Sequence, residues 1–315
     1  MDAIVLGRVA IDLYANESGV NLKDVRTFTR FLGGSPANIA VGLARLGARV
    51  AFIGRVGRDP FGEFLREFMA AEGIDVSALR VDASYPTTLA FAEMHPPDHF
   101  PLLMYRRPSA DAQVSMDDID AEWVGSSGLL IAAGTNLAES PSREATLHAL
   151  SLRAAQGRRN VFDVDFRPAA WASLKGAALY ARIAVSLSDV VLANEQELSL
   201  LTDDSDPLRS TARLLEWGPR VVVAKRGARG VLMRSREAGV FDVPALPVPV
   251  VNTLGAGDGF AAGFCYGVLN DWPLPEAARL GVTVGAIVSS RFSCSEAMPT
   301  LDEAQRFLLS SPDSG

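Results

Sequence analysis

Short apolar runs that favour β-strands alternate with longer helical patterns along most of the chain, and this alternation limits the possible folds more than any other feature. Six nearly continuous apolar runs are predicted strands, at residues 3–6, 50–53, 129–132, 161–164, 190–192 and 220–224. Such runs are typical of strands that are covered on both faces. Helical patterns lie between them, at residues 36–46, 61–71, 142–156, 174–187 and 207–217. The sequence therefore predicts an α/β fold with a parallel sheet, helices on both faces and a ligand crevice at the carboxyl ends of the strands.

Two segments, at about residues 11–31 and 87–106, break this rhythm. Both resemble short alternating strands separated by turn residues, and residues 88–94 followed by 102–105 predict a hairpin. Without crossover helices these strands would form a small separate sheet. We expect a β lid inserted into one domain that spans residues 1–315. The exposed edges of such a lid could be covered by a second copy, so we also expect a homodimer through the lid.

Composition and charge exclude several classes of protein. Hydrophobic residues make up 48% of the 315 residues, which is enough for a substantial core. The net charge of −7 argues against a nucleic-acid partner, and an anionic substrate would need local basic residues. Cys265 and Cys294 alone cannot make a disulfide framework or a cysteine zinc cluster. We find neither a signal-peptide pattern nor an apolar stretch of membrane-spanning length, and therefore expect a cytoplasmic protein with no membrane partner.

A glycine-rich turn at residues 252–259 leads into a helical run of small residues. Backbone N–H groups at the start of a helix are unpaired, and a turn without bulky side chains lets a phosphate approach them. Asp258 would lie beside that phosphate, where its carboxylate can accept the proton of an attacking hydroxyl. The alternative is that Asp258 only caps the helix. No Walker-type G-x-x-x-x-G-K-[ST] sequence and no H-R-D set occurs, so those two kinase folds are excluded.

Several motifs, in order along nearly the whole chain, resemble the ribokinase-like carbohydrate kinases, also called the PfkB family. The segment Gly-Gly-Ser-Pro-Ala-Asn-Ile-Ala at residues 33–40, continued by residues 54–62, resembles the first signature of that family. Residues 252–258 resemble the second signature, although Asp is more usual than Asn at its first position. Residues 194–197 match the N-x-x-E motif, and residues 225–230 match a glycine turn near the nucleotide.

The resemblance implies a Rossmann-like, three-layer α/β/α fold with a β lid, and it implies ATP and Mg²⁺ as cofactors. It implies Asp258 as the catalytic base. It also implies an anion hole made by three residues of the turn: Gly255, Ala256 and Gly257.

Hydroxyl groups of the substrate would, by the same resemblance, contact Asp12, Gly34 and Asn38. Gly33 and Gly34 would let the substrate approach the backbone. The alternative is that the two glycines are only a loop before a helix that starts near Pro36.

On the nucleotide side, Asn194 and Glu197 follow a predicted strand and begin a helix. Glu197 could hold Mg²⁺-bound water, or only complement the helix N-terminus. Lys225 ends a buried strand, where it could meet phosphates or extend into solvent. The other implied nucleotide contacts are Gly227, Gly230, Thr253 and Gly257. Some relatives bind a monovalent cation, and whether one binds here near Asn252 and Cys294 stays open.

The phosphoryl acceptor is narrowed by four segments, at residues 7–14, 100–106, 162–171 and 294–300. They resemble the subgroup of kinases that act on the keto-sugar acid of inositol catabolism more closely than ribokinases or fructokinases. A sugar acid needs a cation for its carboxylate, and arginine offers bidentate geometry. The candidate contacts are Tyr105, Arg106 and Arg167, although Arg167 could instead pair with Asp163 or Asp165.

The sequence and the resemblance therefore favour ATP-dependent phosphorylation of the terminal 6-hydroxyl of 5-dehydro-2-deoxy-D-gluconate. 2-Keto-3-deoxygluconate kinases share a related Tyr-Arg feature and a D-x-N-x-R strand end, where this chain has Asp165, and they remain an alternative. Ribose and fructose are further alternatives within the family. A non-catalytic sugar-binding sensor is the alternative from another class, and Asp258 argues against it because a sensor needs no base. A nicotinamide dehydrogenase is disfavoured because no G-x-G-x-x-G follows the first strand.

Overall fold

A nine-stranded sheet forms the centre of the computed structural model, which describes residues 1–96 and 99–310. In spatial order its strands are β13 (Gly239–Val243), β12 (Val231–Ser235), β11 (Val221–Lys225), β10 (Val190–Asn194), β9 (Asn160–Asp163), β8 (Leu129–Ala133), β1 (Ala3–Leu6), β4 (Val50–Gly57) and β5 (Leu79–Asp82). All neighbouring pairs from β11 to β5 are parallel. Only β12 and β13 add antiparallel pairs to this sheet. The predicted, mainly parallel sheet is confirmed, although the sequence patterns did not predict β5, β12 and β13.

Helices cover both faces of this sheet. They are α1 (Ser35–Arg45), α2 (Pro60–Ala71), α3 (Ala121–Ser126), α4 (Ser142–Ala155), α5 (Leu174–Ser186), α6 (Glu195–Thr202), α7 (Pro207–Glu216), α8 (Ala256–Leu269), α9 (Leu274–Ser289) and α10 (Leu301–Ser310). Alternate residues of β1 enter two different cores: Val5 belongs to the core that includes residues of α1, α8 and α9, and Ile4 belongs to the core that includes residues of α4 and α5. The three-layer α/β/α arrangement is therefore confirmed.

A second sheet of four strands lies apart from the first. Its order is β3 (Phe28–Gly33), β2 (Ala10–Ala15), β6 (Leu89–Ala92) and β7 (Leu102–Tyr105). The pairs β2–β3 and β6–β7 are antiparallel, as the predicted hairpin requires, whereas β2 and β6 are parallel. These strands come from the two segments that broke the α/β rhythm, and residues 97 and 98 of the second segment lie outside the described residues.

One edge of the large sheet collects charged and polar residues. Asp163 ends β9, Asn194 ends β10 and Lys225 ends β11, while Arg8 follows β1. The carboxyl ends of parallel strands lie at the same edge of a sheet, so these side chains border one crevice. The N-terminus of α8 reaches the same place, because Gly257 lies next to the Lys225 side chain.

In the described part of the chain, no helix combines the length and the apolar character that crossing a membrane requires.

Candidate active site

The glycine-rich turn and the Gly-Gly-Ser-Pro-Ala-Asn segment meet at Asp258. Gly255 is the N-cap residue of α8 with a φ of 82°, in the left-handed region that glycine tolerates, and Asp258 lies in the first turn of the helix. Asn38, in the first turn of α1, donates a hydrogen bond from Nδ2 to Oδ2 of Asp258 over 2.8 Å. The carboxylate is thus held in position from a different part of the chain, which a simple helix cap would not require.

The start of α8 offers hydrogen-bond donors to an anion. Among the described residues, no acceptor pairs with the backbone N–H groups of Gly257 and Asp258. Lys225 Nζ lies 3.6 Å from the position that a Cβ on Gly257 would take, so an ammonium group borders the same turn. On its other side, a Cβ on Gly255 would come within 2.8 Å of Cys294 Sγ. Two amides and an ammonium therefore converge where a phosphate could approach without obstruction.

Lys225 is not the free lysine that its place at a strand end suggested. Its Nζ donates to both carboxylate oxygens of Asp163, over 2.9 and 2.8 Å. Burial raises the pKa of the Asp163 carboxyl, Lys225 opposes this, and the nearby charges of Glu197 and Asp165 add to it. The lysine is therefore held at the crevice by a buried carboxylate that sequence reasoning did not connect with it.

Asn194 and Glu197 form a capping box at the start of α6. Asn194 Oδ1 accepts from the backbone N–H of Glu197 over 2.9 Å, and Glu197 Oε2 accepts from the backbone N–H of Asn194 over 2.7 Å. Glu197 Oε1 accepts from the Phe166 amide over 2.8 Å. The structural alternative for this pair, complementing the helix N-terminus, is thus realised. It does not prevent a carboxylate from accepting a further hydrogen bond at each oxygen.

The surroundings of Glu197 also fit a hydrated divalent cation. Asp165 Oδ2 is buried without a hydrogen-bond partner among the described residues, and Asp163 lies near both Asp165 and Glu197. Within residues 1–96 and 99–310, no group of three or more His, Cys, Asp or Glu residues could hold a metal ion by itself. Mg²⁺ prefers such a site, because it usually binds one or two carboxylates directly and completes its coordination shell with water and substrate phosphate.

On the acceptor side, Asp12 faces Gly33, which ends β3, and Gly34 follows it before α1. A Cβ on Gly33 would stand 2.0 Å from the Asp12 carboxylate, and one on Gly34 would stand 2.6 Å from the Arg8 carbonyl oxygen. Neither glycine could therefore be replaced by a larger residue without a clash: Gly33 leaves room for the Asp12 carboxylate, and Gly34 leaves room for the Arg8 carbonyl oxygen. Burial raises the pKa of Asp12 to about 6, with the Arg8 charge opposing this shift and the Asp258 charge adding to it.

Arg106 is buried, and only part of its guanidinium is used by the protein. Nε donates to Asp111 Oδ2 over 2.8 Å and Nη1 donates to the Thr135 carbonyl over 2.9 Å. Nη2 is buried and has no hydrogen-bond partner in the part of the chain that the structure describes. A buried donor without an acceptor is rare in proteins, and here it leaves one N–H group for a ligand.

Tyr105 does not join this group. Through the strand register it lies opposite Leu89, on the same face of the lid as Ile11, whereas Asp12 lies on the other face. Its side chain is 62% exposed and its ring packs against Phe91. The prediction of Tyr105 as a substrate contact is not supported in this structure, because a one-residue step along a strand reverses the face.

Arg167 forms the internal ion pair that the sequence left open. Its Nη2 lies 2.8 Å from Asp165 Oδ1, and its side chain remains 41% exposed. The charge of Asp165 raises the pKa of Arg167, burial opposes this, and the charge of Asp258 adds to it. Arg167 therefore lies in the crevice with Asp258, but with one carboxylate partner already in place.

The remaining predicted residues shape the turns around the crevice. Gly227 and Gly230, with φ of 57° and 75°, form the turn between β11 and β12.

Asn252 is buried, donates to the Phe292 carbonyl over 3.0 Å and accepts from the Leu254 amide over 2.9 Å. Thr253 next to it is exposed. Cys294 Sγ lies 2.6 Å from the Tyr14 hydroxyl, so both groups are occupied within the protein.

Arg8 was missed as a site residue by the sequence reasoning. It lies buried near Asp12, Asp111 and Arg106 at the end of β1, and burial lowers its pKa. Two signals in the sequence pointed to it. Arg8 belongs to the segment at residues 7–14 that resembles the sugar-acid kinases, and it follows a buried central strand, where a long charged side chain must lie at the crevice or be paired.

Comparison with known proteins supplies the family. The profile of the pfkB family carbohydrate kinases matches residues 2–301. A 5-dehydro-2-deoxygluconokinase from Geobacillus kaustophilus (strain HTA426) is 39% identical over an alignment that covers 98% of this chain and 93% of the relative.

Solved structures agree with this assignment. A PfkB protein from Polaromonas sp. JS666 is 32% identical, with a TM-score of 0.87 and coverage of 97% of this chain and 99% of that one. A sugar kinase from Pyrococcus horikoshii, in complex with ATP, is 28% identical, with a TM-score of 0.84 and coverage of 97% and 100%. The family expected from the motifs is confirmed, and the chain belongs to the PfkB family of carbohydrate kinases.

Proposed function

We propose that this kinase transfers the γ-phosphoryl group of ATP to the terminal 6-hydroxyl of 5-dehydro-2-deoxy-D-gluconate. The observation that carries the proposal is the Asp258 carboxylate, held by Asn38 beside the unpaired amides at the start of α8. A relative named 5-dehydro-2-deoxygluconokinase, 39% identical over nearly the whole chain, supports the choice of acceptor.

In the proposed reaction, Asp258 accepts the proton of the substrate hydroxyl as its oxygen attacks phosphorus. The predicted anion hole at Gly255, Ala256 and Gly257 lies at the start of α8, where the unpaired amides of Gly257 and Asp258, with Lys225, stabilise the charge on the transferred group. The Ala256 amide donates to the Thr253 carbonyl over 3.3 Å. The enzyme therefore acts mainly by positioning and electrostatic stabilisation, as is general for phosphoryl transfer.

The nucleotide would lie along the strand ends, near Gly227, Gly230 and Thr253. Asn194 and Glu197 would hold Mg²⁺ through water, because their oxygens retain free lone pairs beside the unpartnered Asp165 Oδ2. When bound, Mg²⁺ neutralises charge on the nucleotide phosphates. We also propose a monovalent cation near Asn252 and Cys294. The side chains of both residues have protein partners, so other groups of this region would bind the cation.

The acceptor would lie between the lid and the large sheet. Asp12 and the backbone at Gly33 and Gly34 would bind hydroxyl groups, and Asn38 Oδ1, which is buried without a partner, would accept from one of them. The acid group would meet the unpartnered Nη2 of Arg106, with Arg167 as a further cation of the crevice.

We propose one kinase domain, residues 1–315, that dimerises through its lid and works in the cytoplasm, where ATP is abundant. Leu102, Leu103 and Tyr105 of the outer lid strand β7 are exposed, and an exposed apolar edge strand favours pairing with another chain. Analytical ultracentrifugation of the wild type and of Leu103→Lys would test the dimer.

An ADP-release assay with 5-dehydro-2-deoxy-D-gluconate, 2-keto-3-deoxygluconate, ribose and fructose tests the acceptor. We expect the highest kcat/KM with the first acid, and Arg106→Ala should raise KM for the acids much more than for fructose. Faster turnover of a neutral sugar would contradict the proposed acceptor. If no sugar releases ADP, the non-catalytic sensor becomes the better explanation.

A further inference from the structure

Arg8 is a buried cation for which the described residues provide almost no partner. Its side chain is 6% exposed. Nη1 has a long contact of 3.7 Å with Met104 Sδ, and Nε is buried with no hydrogen-bond partner in residues 1–96 and 99–310. In the described part of the chain, no carboxylate oxygen lies within 4.0 Å of an Arg8 nitrogen, the distance limit of an ion pair. A buried charge is ordinarily paired, so this arrangement calls for an explanation.

Arg153 shows how the same fold satisfies a buried arginine that serves the structure. It is 0% exposed, and each of its three nitrogens donates to the protein. Nε donates to Asn160 over 3.1 Å, Nη1 to the Val124 carbonyl over 2.6 Å, and Nη2 to the Arg159 carbonyl over 2.9 Å. Against this internal standard, Arg8 lacks the acceptors that a structural arginine has.

The second unpartnered donor in the same region belongs to Arg106. Its Nη2 is buried without an acceptor, and its positive charge is near enough to lower the pKa of Arg8, after the larger effect of burial. Asp111 is already bound to Arg106, and Asp165 to Arg167. Two neighbouring guanidinium groups with free donors favour a ligand that is anionic and has more than one oxygen acceptor.

We propose that Arg8 is a specificity-determining residue, which binds the carboxylate of the acceptor together with Arg106 and so makes the enzyme prefer sugar acids to neutral sugars. This inference rests on the proposed function, because it assumes an acidic acceptor. Its position is suitable: Arg8 joins the end of the central strand β1 to Met104, which shares the lid face of Asp12. The acid group would thereby connect the large sheet with the lid.

The test compares Arg8→Met and Arg8→Lys with Arg153→Met, a matched buried arginine. Arg8→Met removes an unpartnered buried charge, so we expect a Tm equal to or above that of the wild type, whereas Arg153→Met should lower Tm clearly. In the ADP-release assay, Arg8→Met should lower kcat/KM for 5-dehydro-2-deoxy-D-gluconate about 100-fold, mainly through KM. The loss for fructose should be at least tenfold smaller, and Arg8→Lys should recover only part of the activity with the acid.

Two results would overturn the inference and leave the proposed function intact: equal losses of kcat/KM for acid and fructose, or an unchanged kcat/KM for the acid in Arg8→Met. A Tm loss as large as that of Arg153→Met would assign Arg8 to the structure and also count against it. If the wild type does not phosphorylate the acid, the proposed function fails. Calorimetry with the acid then decides on Arg8: binding to the wild type but not to Arg8→Met supports the inference, and any other result overturns it.

Discussion

Asn38 Nδ2 donates to Oδ2 of Asp258 over 2.8 Å and so joins two helix starts that are 220 residues apart in the chain. The bond leaves Oδ1 of Asp258 without a donor in the described residues, and Oδ1 of Asn38 is buried without one. Each of these two oxygens can therefore accept a hydrogen bond from a hydroxyl of the substrate. The pair therefore both orients the base and marks where an acceptor hydroxyl can bind.

The first prediction concerns Asp258→Asn. The amide cannot accept the hydroxyl proton, so kcat should fall about 10²- to 10⁴-fold, while the affinities for ATP and sugar acid stay close to those of the wild type. Steady-state kinetics with calorimetric binding would measure both. Turnover near the wild-type value would rule out Asp258 as the base.

The second prediction concerns the pH dependence that Asp12 causes. Burial raises its pKa to about 6. The charge of Asp258 adds to this shift, whereas the charges of Arg8 and, more weakly, of Arg167 oppose it. The ionised carboxylate is the better acceptor for sugar hydroxyls, so kcat/KM should fall by up to about tenfold per pH unit below pH 6. In Asp12→Asn this inflection should disappear, and an unchanged inflection would assign it to another group.

Stability gives an independent check on Asp12. Between about pH 4, the ordinary pKa of an aspartate, and pH 6, the folded protein binds more protons at Asp12 than the unfolded chain does. The contribution of Asp12 to the free energy of unfolding therefore falls as the pH rises through this range and is constant above it. Urea unfolding of Asp12→Asn should show a smaller fall over the same range than the wild type.

Much of the fold was predictable because buried parallel strands carry their signal in continuous apolar runs. The strand β13 was missed because most of its residues are exposed, so no such run exists. The glycine turn was predictable as an anion site because its chemistry is local: residues adjacent in sequence supply the amides and the carboxylate.

The parts of the site that the sequence did not reveal depend on the tertiary structure. Lys225 and Asp163 are 62 residues apart in the chain. They meet because their strands, β11 and β9, flank the same strand β10 in the sheet. Tyr105 and Met104 are adjacent, and only the strand register shows which of them shares a face with Asp12. Arg8 lies in the segment at residues 7–14 that carries part of the resemblance, but its lack of partners among the described residues is a property of the folded molecule.

The third prediction compares two glycines with similar φ angles. Gly255 has a φ of 82° and a Cβ there would meet Cys294 Sγ at 2.8 Å, whereas Gly73 has a φ of 78° with no atom within 4 Å. Gly73→Ala should lower the free energy of unfolding by about 1–2 kcal/mol, the cost of the left-handed conformation, without changing kcat. Gly255→Ala should cost more and also lower kcat, by up to about 10²-fold, because the amides of the turn must move. Equal kcat values for the two variants would contradict this function of Gly255.

The last prediction separates the two functions of Lys225. Lys225→Met leaves the buried Asp163 carboxylate without its partner, which should lower the free energy of unfolding by about 3–5 kcal/mol. It should also raise KM for ATP roughly 10- to 100-fold, through the loss of a charged hydrogen bond to phosphate.

The double variant Asp163→Asn/Lys225→Met removes both charges of this pair. Urea unfolding should show that most of the lost stability returns, because no uncompensated charge from the pair stays buried. The KM for ATP should stay as high as in Lys225→Met, because the phosphates still lack their cation. If ATP affinity returned together with stability, Lys225 would serve only to neutralise Asp163, and the ammonium group beside Gly257 would have no part in binding the nucleotide.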